Sequence, residues 1–323
     1  MNNKRSGAIG IDIGGTKISA GVVLWPSGEV FCRTVLPTAP HRGGEAVLKD
    51  TLTLAGDLTA WAQREDINVA GIGAAVAESV DPRGNVTSGQ TIQWRGVSVG
   101  QRLAAIAHTH IESDVRAAAL GEALFGAGKT SRLFAYITVG TGISYCLVQD
   151  GRPFLGARGN AIVLASSPLS TTCTHCGAKL KPVLEEFSSG HAIVERYLHS
   201  RTATTSDGSD AREIVVRAED VFRLAENGNA AAAEILRSAG EALGVSAGFL
   251  VNLLDPELLI VGGGVGLAGG LYWDTFIQAT REHIWSHGSR EIPIVPARLG
   301  VHAGLVGAAA SFMTRTATKH GVI

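Results

Sequence analysis

The sequence predicts an α/β protein of two domains sharing a ligand cleft, on three observations. At 323 residues the chain exceeds one small core and fits two α/β domains of ordinary size. Helical and strand-like patterns alternate along nearly all of it. Its 41 glycines are not spread as in a flexible linker but cluster as Gly14-Gly15, Gly140-x-Gly142 and Gly262-Gly263-Gly264, each beside a β-branched run. Glycine after a strand marks a tight turn where backbone comes close to a ligand, often a phosphate. Three such turns point to a nucleotide.

Taken in order, Ala8–Ile13 reads as a buried strand and Ile18–Leu24 as its antiparallel partner, with Gly14-Gly15-Thr16-Lys17 as the connecting turn. Gly44–Arg64 has helical spacing, Val69–Val76 is strand-like, and Val99–Thr109 is helical. An acidic turn, Glu112-Ser113-Asp114, opens the Ala-rich helix Val115–Gly126. The domain crossing is expected there, with 1–114 and 304–323 forming a smaller domain and 115–303 a larger one. Leu133–Val139, the turn Gly140–Gly142 and the strand Ser144–Gln149 repeat the arrangement of the amino terminus, as a duplicated fold would. Arg201–Arg212, rich in Ser, Thr, Asp and Gly, predicts a mobile loop. Long helices are expected through Ala218–Leu254, then a strand at Leu258–Val261, a helix near Leu271–His283, and a closing helix, Gly304–Thr314, whose small-residue face suits tight packing.

Composition excludes several classes of partner. Lys and Arg number 28 against 29 Asp and Glu, so no basic field exists to hold nucleic acid or an anionic membrane. No uninterrupted apolar run approaches the roughly 20 residues that span a bilayer, and Met1–Arg5 lead straight into a strand-like run without a signal-peptide core. Four cysteines (Cys32, Cys146, Cys173, Cys176) do not make a disulfide framework in a chain of this length. A reducing cytoplasm is expected, with small molecules or a second copy of the chain, as a homodimer, for partners.

Phosphoryl transfer requires that phosphates be held, their charge neutralised by Mg²⁺ and Lys or Arg, and the acceptor hydroxyl set beside a base. Asp12-x-Gly14-Gly15-Thr16-Lys17 places a carboxylate at a strand end, then exposed amides, a hydroxyl and a cation; alone it could equally be a plain hairpin turn. Four further segments accompany it: Asp114–Glu122 (DVRAAALGE), Val139–Gly142 (VGTG), Leu253–Val265 (LLDPELLIVGGGV) and Pro296–Gly307 (PARLGVHAGLVG). In order and spacing these resemble the matching segments of the ROK (repressor, open reading frame, kinase) sugar kinases, over nearly the whole chain from about Ile9 to Gly307.

The resemblance implies an actin and hexokinase-like (ribonuclease H-like) fold whose two domains close over ATP and a sugar. Asp12 would hold Mg²⁺ through water, and Gly14, Gly15, Thr16 and Lys17 would line the phosphates from one side, Thr141 and Gly142 from the other. Gly263 and Gly264 would border the adenosine. Asp114 would take the proton from the acceptor hydroxyl, and it can also serve as an N-cap.

The sequence departs from the family where the family holds sugar. At the positions of the usual ring-hydroxyl partners stand Gln90 (or Thr91), Ser113, Val163 and Ser166; of those partners only Glu185 remains, and a Pro-Gly pair near the substrate reads Ala77-Glu78. The losses fall on recognition and spare the phosphate and base positions, so an acceptor with an altered or missing polar group is expected, such as a modified sugar or C7 cyclitol, in preference to plain glucose. A hexose or hexosamine kinase is the alternative. The family's zinc site is altered too: Cys173-Thr174-His175-Cys176-Gly177 is followed by Val183 where the last cysteine should stand, and a closed structural site needs four ligands. Zinc on Cys173 and Cys176 competes with two free thiols.

Other classes are weighed against this reading. A first strand at about Ala8 predicts no helix-turn-helix domain ahead of it. A sugar-sensing pseudokinase is motivated by the lost recognition residues and opposed by Asp12, Lys17 and Asp114. An oxidoreductase would need Gly-x-Gly-x-x-Gly opening a helix after the first strand, which is missing.

Overall fold

The computed structural model describes residues 5–168, 170–204 and 215–319. The first part of the chain runs β1 (Ser6–Ile13), β2 (Lys17–Trp25), β3 (Val30–Pro37), α1 (Gly44–Arg64), β4 (Asn68–Val76), α2 (Val99–Ala104), β5 (Thr109–Ser113) and α3 (Asp114–Phe125). Then come β6 (Leu133–Val139), β7 (Ile143–Gln149), β8 (Arg152–Pro153), β9 (Thr171–Thr172), β10 (Lys179–Leu180), α4 (Glu185–Ser188) and α5 (Gly190–Thr204). The chain continues through α6 (Ala218–Glu226), α7 (Ala230–Leu254), β11 (Leu258–Gly262), α8 (Gly270–His283), β12 (Ile294–Pro296) and α9 (Ala303–Lys319). Among the described residues no helix is long and apolar enough to cross a membrane.

Contacts divide the chain into two compact units, one of Met1–Leu133, Cys146–Ile162 and Ala297–Ile323, the other of Phe134–Tyr145 and Val163–Pro296. In the first, a sheet of order β3-β2-β1-β4-β5 has β1 antiparallel to β2 and parallel to β4. The period-2 alternation of β1 decides which side chains meet which helices. Ile9, Ile11 and Ile13 turn to one face and pack with Val47, Leu48, Leu54 and Leu58 of α1. Ala8 faces the other way, against Leu305, Val306, Ala309 and Phe312 of α9. Asp12 follows Ala8 and Gly10 on that second face. There the helix comes so close that a Cβ on Gly73 of β4 would lie 1.8 Å from the Ala308 carbonyl oxygen, which accounts for the small residues of both elements. Ala117 of α3 packs with Ala75 and Ala308 on the same side.

In the second unit β6 pairs in parallel with β11, and β11 with β12. These three strands belong to a five-stranded sheet of order β12-β11-β6-β7-β8; β8 and the part of β7 from Cys146 on are counted with the first unit. Phe134, Tyr136, Leu259 and Val261 are buried in its strands, and Tyr272 and Phe276 in α8, which packs on α7. Phe222 of α6 meets Tyr272 with ring centroids 5.9 Å apart.

Several expectations need correction. The helix expected over Val99–Thr109 ends at Ala104, and the acidic turn Glu112-Ser113-Asp114 is a strand-to-helix junction, with Glu112 and Ser113 closing β5 and Asp114 opening α3. β5 is short, and its parallel pairing to β4 is a tertiary constraint that overrides the local helical pattern. Strand β3, unread in the sequence, is an edge strand with exposed Cys32, Arg33, Val35 and Pro37, so it lacks a buried stripe to announce it. The helices through Ala218–Leu254 are as expected and number two, parted at Asn227-Gly228-Asn229, where Gly228 takes φ 89° and Asn229 caps α7 by accepting from Ala232 N at 2.9 Å. The loop expected at Arg201–Arg212 is helix as far as Thr204, and its remainder lies outside the described residues.

Candidate active site

In the first unit the turn after β1 is closed by the Gly14 N–H donating to the Lys17 carbonyl at 3.0 Å. Its other carbonyls are held by Thr38, fully buried, whose hydroxyl donates to Gly14 O at 2.7 Å and whose N–H donates to Thr16 O at 3.0 Å. Thr16 and Lys17 are exposed at the tip. Asp12, on the last turn of the β1 pleat before this turn, meets the amino-terminal end of α9: a Cβ on Gly304 would lie 2.1 Å from its Oδ2. Glycine is therefore required for the approach, and the positive end of the helix dipole faces a carboxylate. Burial nevertheless pushes the Asp12 carboxyl up to about 6, with Lys17 pulling the other way.

Asp114 heads α3. The residue flanking the helix is Ser113, buried at the end of β5, so Asp114 occupies the first helical position and not the N-cap expected for it; its Oδ1 accepts from the Val115 N–H at 2.7 Å. Burial pushes its carboxyl up to about 7, the charge of Asp12 adds to the rise and that of Glu78 contributes further, while the Val115 N–H and Arg116 oppose it. Two other carboxylates thus act on Asp114. A carboxyl that titrates near neutrality is suited to exchanging a proton.

Gln90 and Thr91 lie on the segment after β4. A Cβ on Gly15 would be 2.7 Å from the Thr91 methyl. Glu78 contacts this segment with both carboxylate oxygens, accepting from the backbone N–H groups of Gln90, Thr91 and Ile92 and from the Ser88 hydroxyl.

In the second unit the Gly140 N–H donates to Gly142 O at 2.9 Å, closing the second glycine turn. Glu185, first residue of α4, sits directly against it: its Oε2 accepts from the Ile143 N–H at 2.7 Å and lies 2.5 Å from where a Gly142 Cβ would be. Its Oε1 accepts from the Ser166 hydroxyl at 3.2 Å. Thr141 is on this turn, exposed, and Val163 is half exposed at 51%. Gly263, with a left-handed φ of 83°, approaches the end of β6, where a Cβ would lie 2.3 Å from Val139 O, and Gly264 follows it. The structure therefore gathers Asp12, Gly14–Lys17, Glu78, Gln90, Thr91, Ser113 and Asp114 in one unit, and Thr141, Gly142, Val163, Ser166, Glu185, Gly263 and Gly264 in the other.

Cys173 and Cys176 are free thiols on the β9–β10 hairpin. N–H groups of Cys176 and His175 hold the Cys173 thiol below its ordinary value. Among the described residues no group of three or more His, Cys, Asp or Glu could hold a metal ion, so the four ligands of a closed zinc site do not assemble there.

Sequence reasoning missed a buried network behind Asp114. Arg116 donates to Glu112 Oε1 at 2.7 Å, to Gly159 O at 2.6 Å and to Val80 O at 2.7 Å. Burial pushes the Glu112 carboxyl up, but His110, Arg116 and the Ser113 N–H together bring it below the ordinary range. The signal was present as a Glu–Arg pair four positions apart across the end of β5 and the start of α3. Thr38 carried no such signal, since its role depends on β3 returning to the turn.

A two-unit α/β protein in which a strand, glycine turn and strand recur, with interacting carboxylates at a strand end and a helix start, belongs to the actin and hexokinase-like fold class. The ROK family model matches residues 8–315, and the chain belongs to the ROK family. A structure of a ROK family glucokinase from Streptomyces griseus, in complex with glucose and AMPPNP, superposes with a TM-score of 0.79 at 29% identity, covering 94% of this chain and 98% of that one. A ROK hexokinase from Thermus thermophilus gives 0.75 at 28% identity, covering 96% and 99%. In sequence, a glucokinase of Streptomyces coelicolor is 30% identical over 93% of this chain and 96% of its own length. The bifunctional enzyme NanE/NanK of Brucella melitensis is 31% identical over 94% of this chain, which spans about half (53%) of that relative.

Proposed function

We propose that the chain is an ATP-dependent kinase that transfers the γ-phosphate to a hydroxyl, the primary hydroxymethyl, of a sugar or sugar-like polyol. The observation that carries this reading is the Asp114 carboxyl, pushed up to about 7 at a helix start and interacting with Asp12, which is at the base of a turn bearing Lys17. Asp114 takes the proton of the acceptor hydroxyl as its oxygen bonds to phosphorus, and the bond from that phosphorus to the bridging oxygen of ADP breaks. Lys17 and the amides of Gly14–Thr16 bind the phosphates; in the resemblance to the family, Thr141 and Gly142 are likewise phosphate residues, and Gly263 and Gly264 adenosine residues.

Mg²⁺ suits this donor set. Oxygen ligands match its hardness, and it is ordinarily held by one or two carboxylates together with substrate phosphates instead of a protein cage, in keeping with Asp12 as the carboxylate that holds it through water. When bound it neutralises phosphate charge.

The acceptor is not plain glucose. Val163 offers no hydrogen bond and Ser166 donates to Glu185, so two positions that would meet ring hydroxyls in the family have other occupations here. A polyol with altered or missing polar groups, a modified sugar or C7 cyclitol, fits such a site best. Purified protein with ATP and Mg²⁺ tested against hexoses, amino sugars and cyclitols decides the matter. The expected result is a kcat/KM for glucose at least ~10-fold below that of the best acceptor, from one or more lost hydrogen bonds; glucose as the best acceptor would overturn the assignment of substrate, and no ADP formed with any acceptor would overturn the reaction.

A further inference from the structure

The segment from Ser88 to Ile92 has no regular secondary structure, yet one side chain pins it at four points. Glu78, 7% exposed, accepts on Oε2 from the Gln90 N–H at 3.0 Å and from the Ser88 hydroxyl, and on Oε1 from the N–H groups of Thr91 at 2.7 Å and Ile92 at 2.9 Å. Ser88 is held in turn, its oxygen accepting from the Ser79 N–H at 2.8 Å. Burying a carboxylate is costly unless its lone pairs are matched, and here every donor comes from one short stretch of chain. Three of the four donors are backbone N–H groups, so the match fixes where the main chain runs and leaves the Gln90 and Thr91 side chains for other work.

The place of this segment matters. Thr91 packs against Gly15 of the phosphate turn, and the charge of Glu78 reaches Asp114. Just beyond, Ile92 and Trp94 are buried and anchor the segment's far end. Its outer side lines an open groove of about 970 Å³ together with Gln93, Trp94 and Arg95. Glu78 stands where the sugar kinases resembled have the glycine of a Pro-Gly pair, so this clamp belongs to the side chains of this chain and not to the general pattern.

We infer that Glu78 is a positioning residue for acceptor selectivity: its carboxylate holds the backbone of Gln90 and Thr91 in a single path beside the Gly15 turn, and that path determines which acceptor fits. The inference rests on the kinase reading above. Glu78→Gln keeps the size of the side chain but replaces one acceptor oxygen by a donor, which then opposes backbone N–H groups. Losing a charge-assisted acceptor for two donors predicts a rise in KM for the best acceptor ~10-fold larger than any rise in KM for ATP. Backbone amide exchange at Gln90, Thr91 and Ile92 is expected to accelerate by ~10-fold or more in the same variant. Ser88→Ala, at a partly exposed site that tolerates the change, is expected to move both readouts in the same direction by a smaller factor.

An active Glu78→Gln enzyme with parental acceptor KM overturns the inference and leaves the kinase reading standing, as does unchanged amide exchange in both variants. A parent protein that transfers phosphate to no acceptor removes the kinase reading and the selectivity role with it, and the exchange rates then decide only whether the carboxylate holds the segment.

Discussion

Asp114 and Glu185 are both carboxylates at the first position of a helix, and they have opposite fates. Glu185 heads a single-turn helix and uses one oxygen on the Ile143 N–H and the other on the Ser166 hydroxyl, fixing a glycine turn. Asp114 heads a three-turn helix, accepts from its own neighbour's N–H, and otherwise feels burial and two other negative charges. One carboxylate is occupied as an acceptor; the other is raised to where a proton can come and go. The carboxylate and its place at the helix start are shared, so the difference comes from the burial around Asp114 and the charges of Asp12 and Glu78 near it.

Exchanging carboxylate for amide at both helix heads is the strongest way to break this comparison. With ATP and the best acceptor, Asp114→Asn is expected to lose ~10² to 10⁴ of kcat, the usual worth of a general base, while nucleotide binding measured by titration calorimetry survives. Glu185→Gln retains one acceptor and is expected to cost only about 10-fold, consistent with a lost charge-assisted hydrogen bond. Equal losses would erase the distinction. Lys17→Ala comes next: removing one exposed cation from the Gly14–Lys17 turn should raise KM for ATP by roughly 10-fold without lowering the melting temperature.

The smallest expected effect concerns stability and sharpens the contrast without any substrate. Asp114 titrates near 7 in the folded chain against 3.8 ordinarily, so its contribution to stability is fully present below about 3.8 and is lost as pH rises through about 7. Asp114→Asn removes the charge, so the variant should be more stable than the parent at pH 8 and progressively less so toward pH 4, as read by urea denaturation. A purely capping role would leave stability nearly unchanged at every pH, since Asn caps about as well as Asp.

Much of this site was legible because its chemistry sits on local patterns. Asp12 ends a run whose alternate isoleucines announce a buried strand, and the glycine turn that follows marks a close approach. α1 could be bounded to the residue because its apolar spacing is long and regular. What escaped depends on distant partners. Strand β3 has few buried side chains and pairs only on one edge, so Thr38 could not be placed under the Gly14–Lys17 turn. The clamp at Glu78 joins residues 10 to 14 positions apart across an irregular segment, and no periodicity records it. The raised carboxyl of Asp114 comes first from burial and then from the charge of Asp12, over a hundred positions away in the chain.

The account stands on Asp114 acting as a base in its unprotonated form, and the pH dependence of kcat/KM for the acceptor at saturating ATP tests this most directly. A base is competent above its pKa, so activity should be level above about pH 8 and fall through about 7 with a limiting slope of about tenfold per pH unit, a limb that disappears in the residual activity of Asp114→Asn. A profile level from about pH 5.5 to 8, or one whose acid limb persists unchanged in the Asn variant, would contradict it.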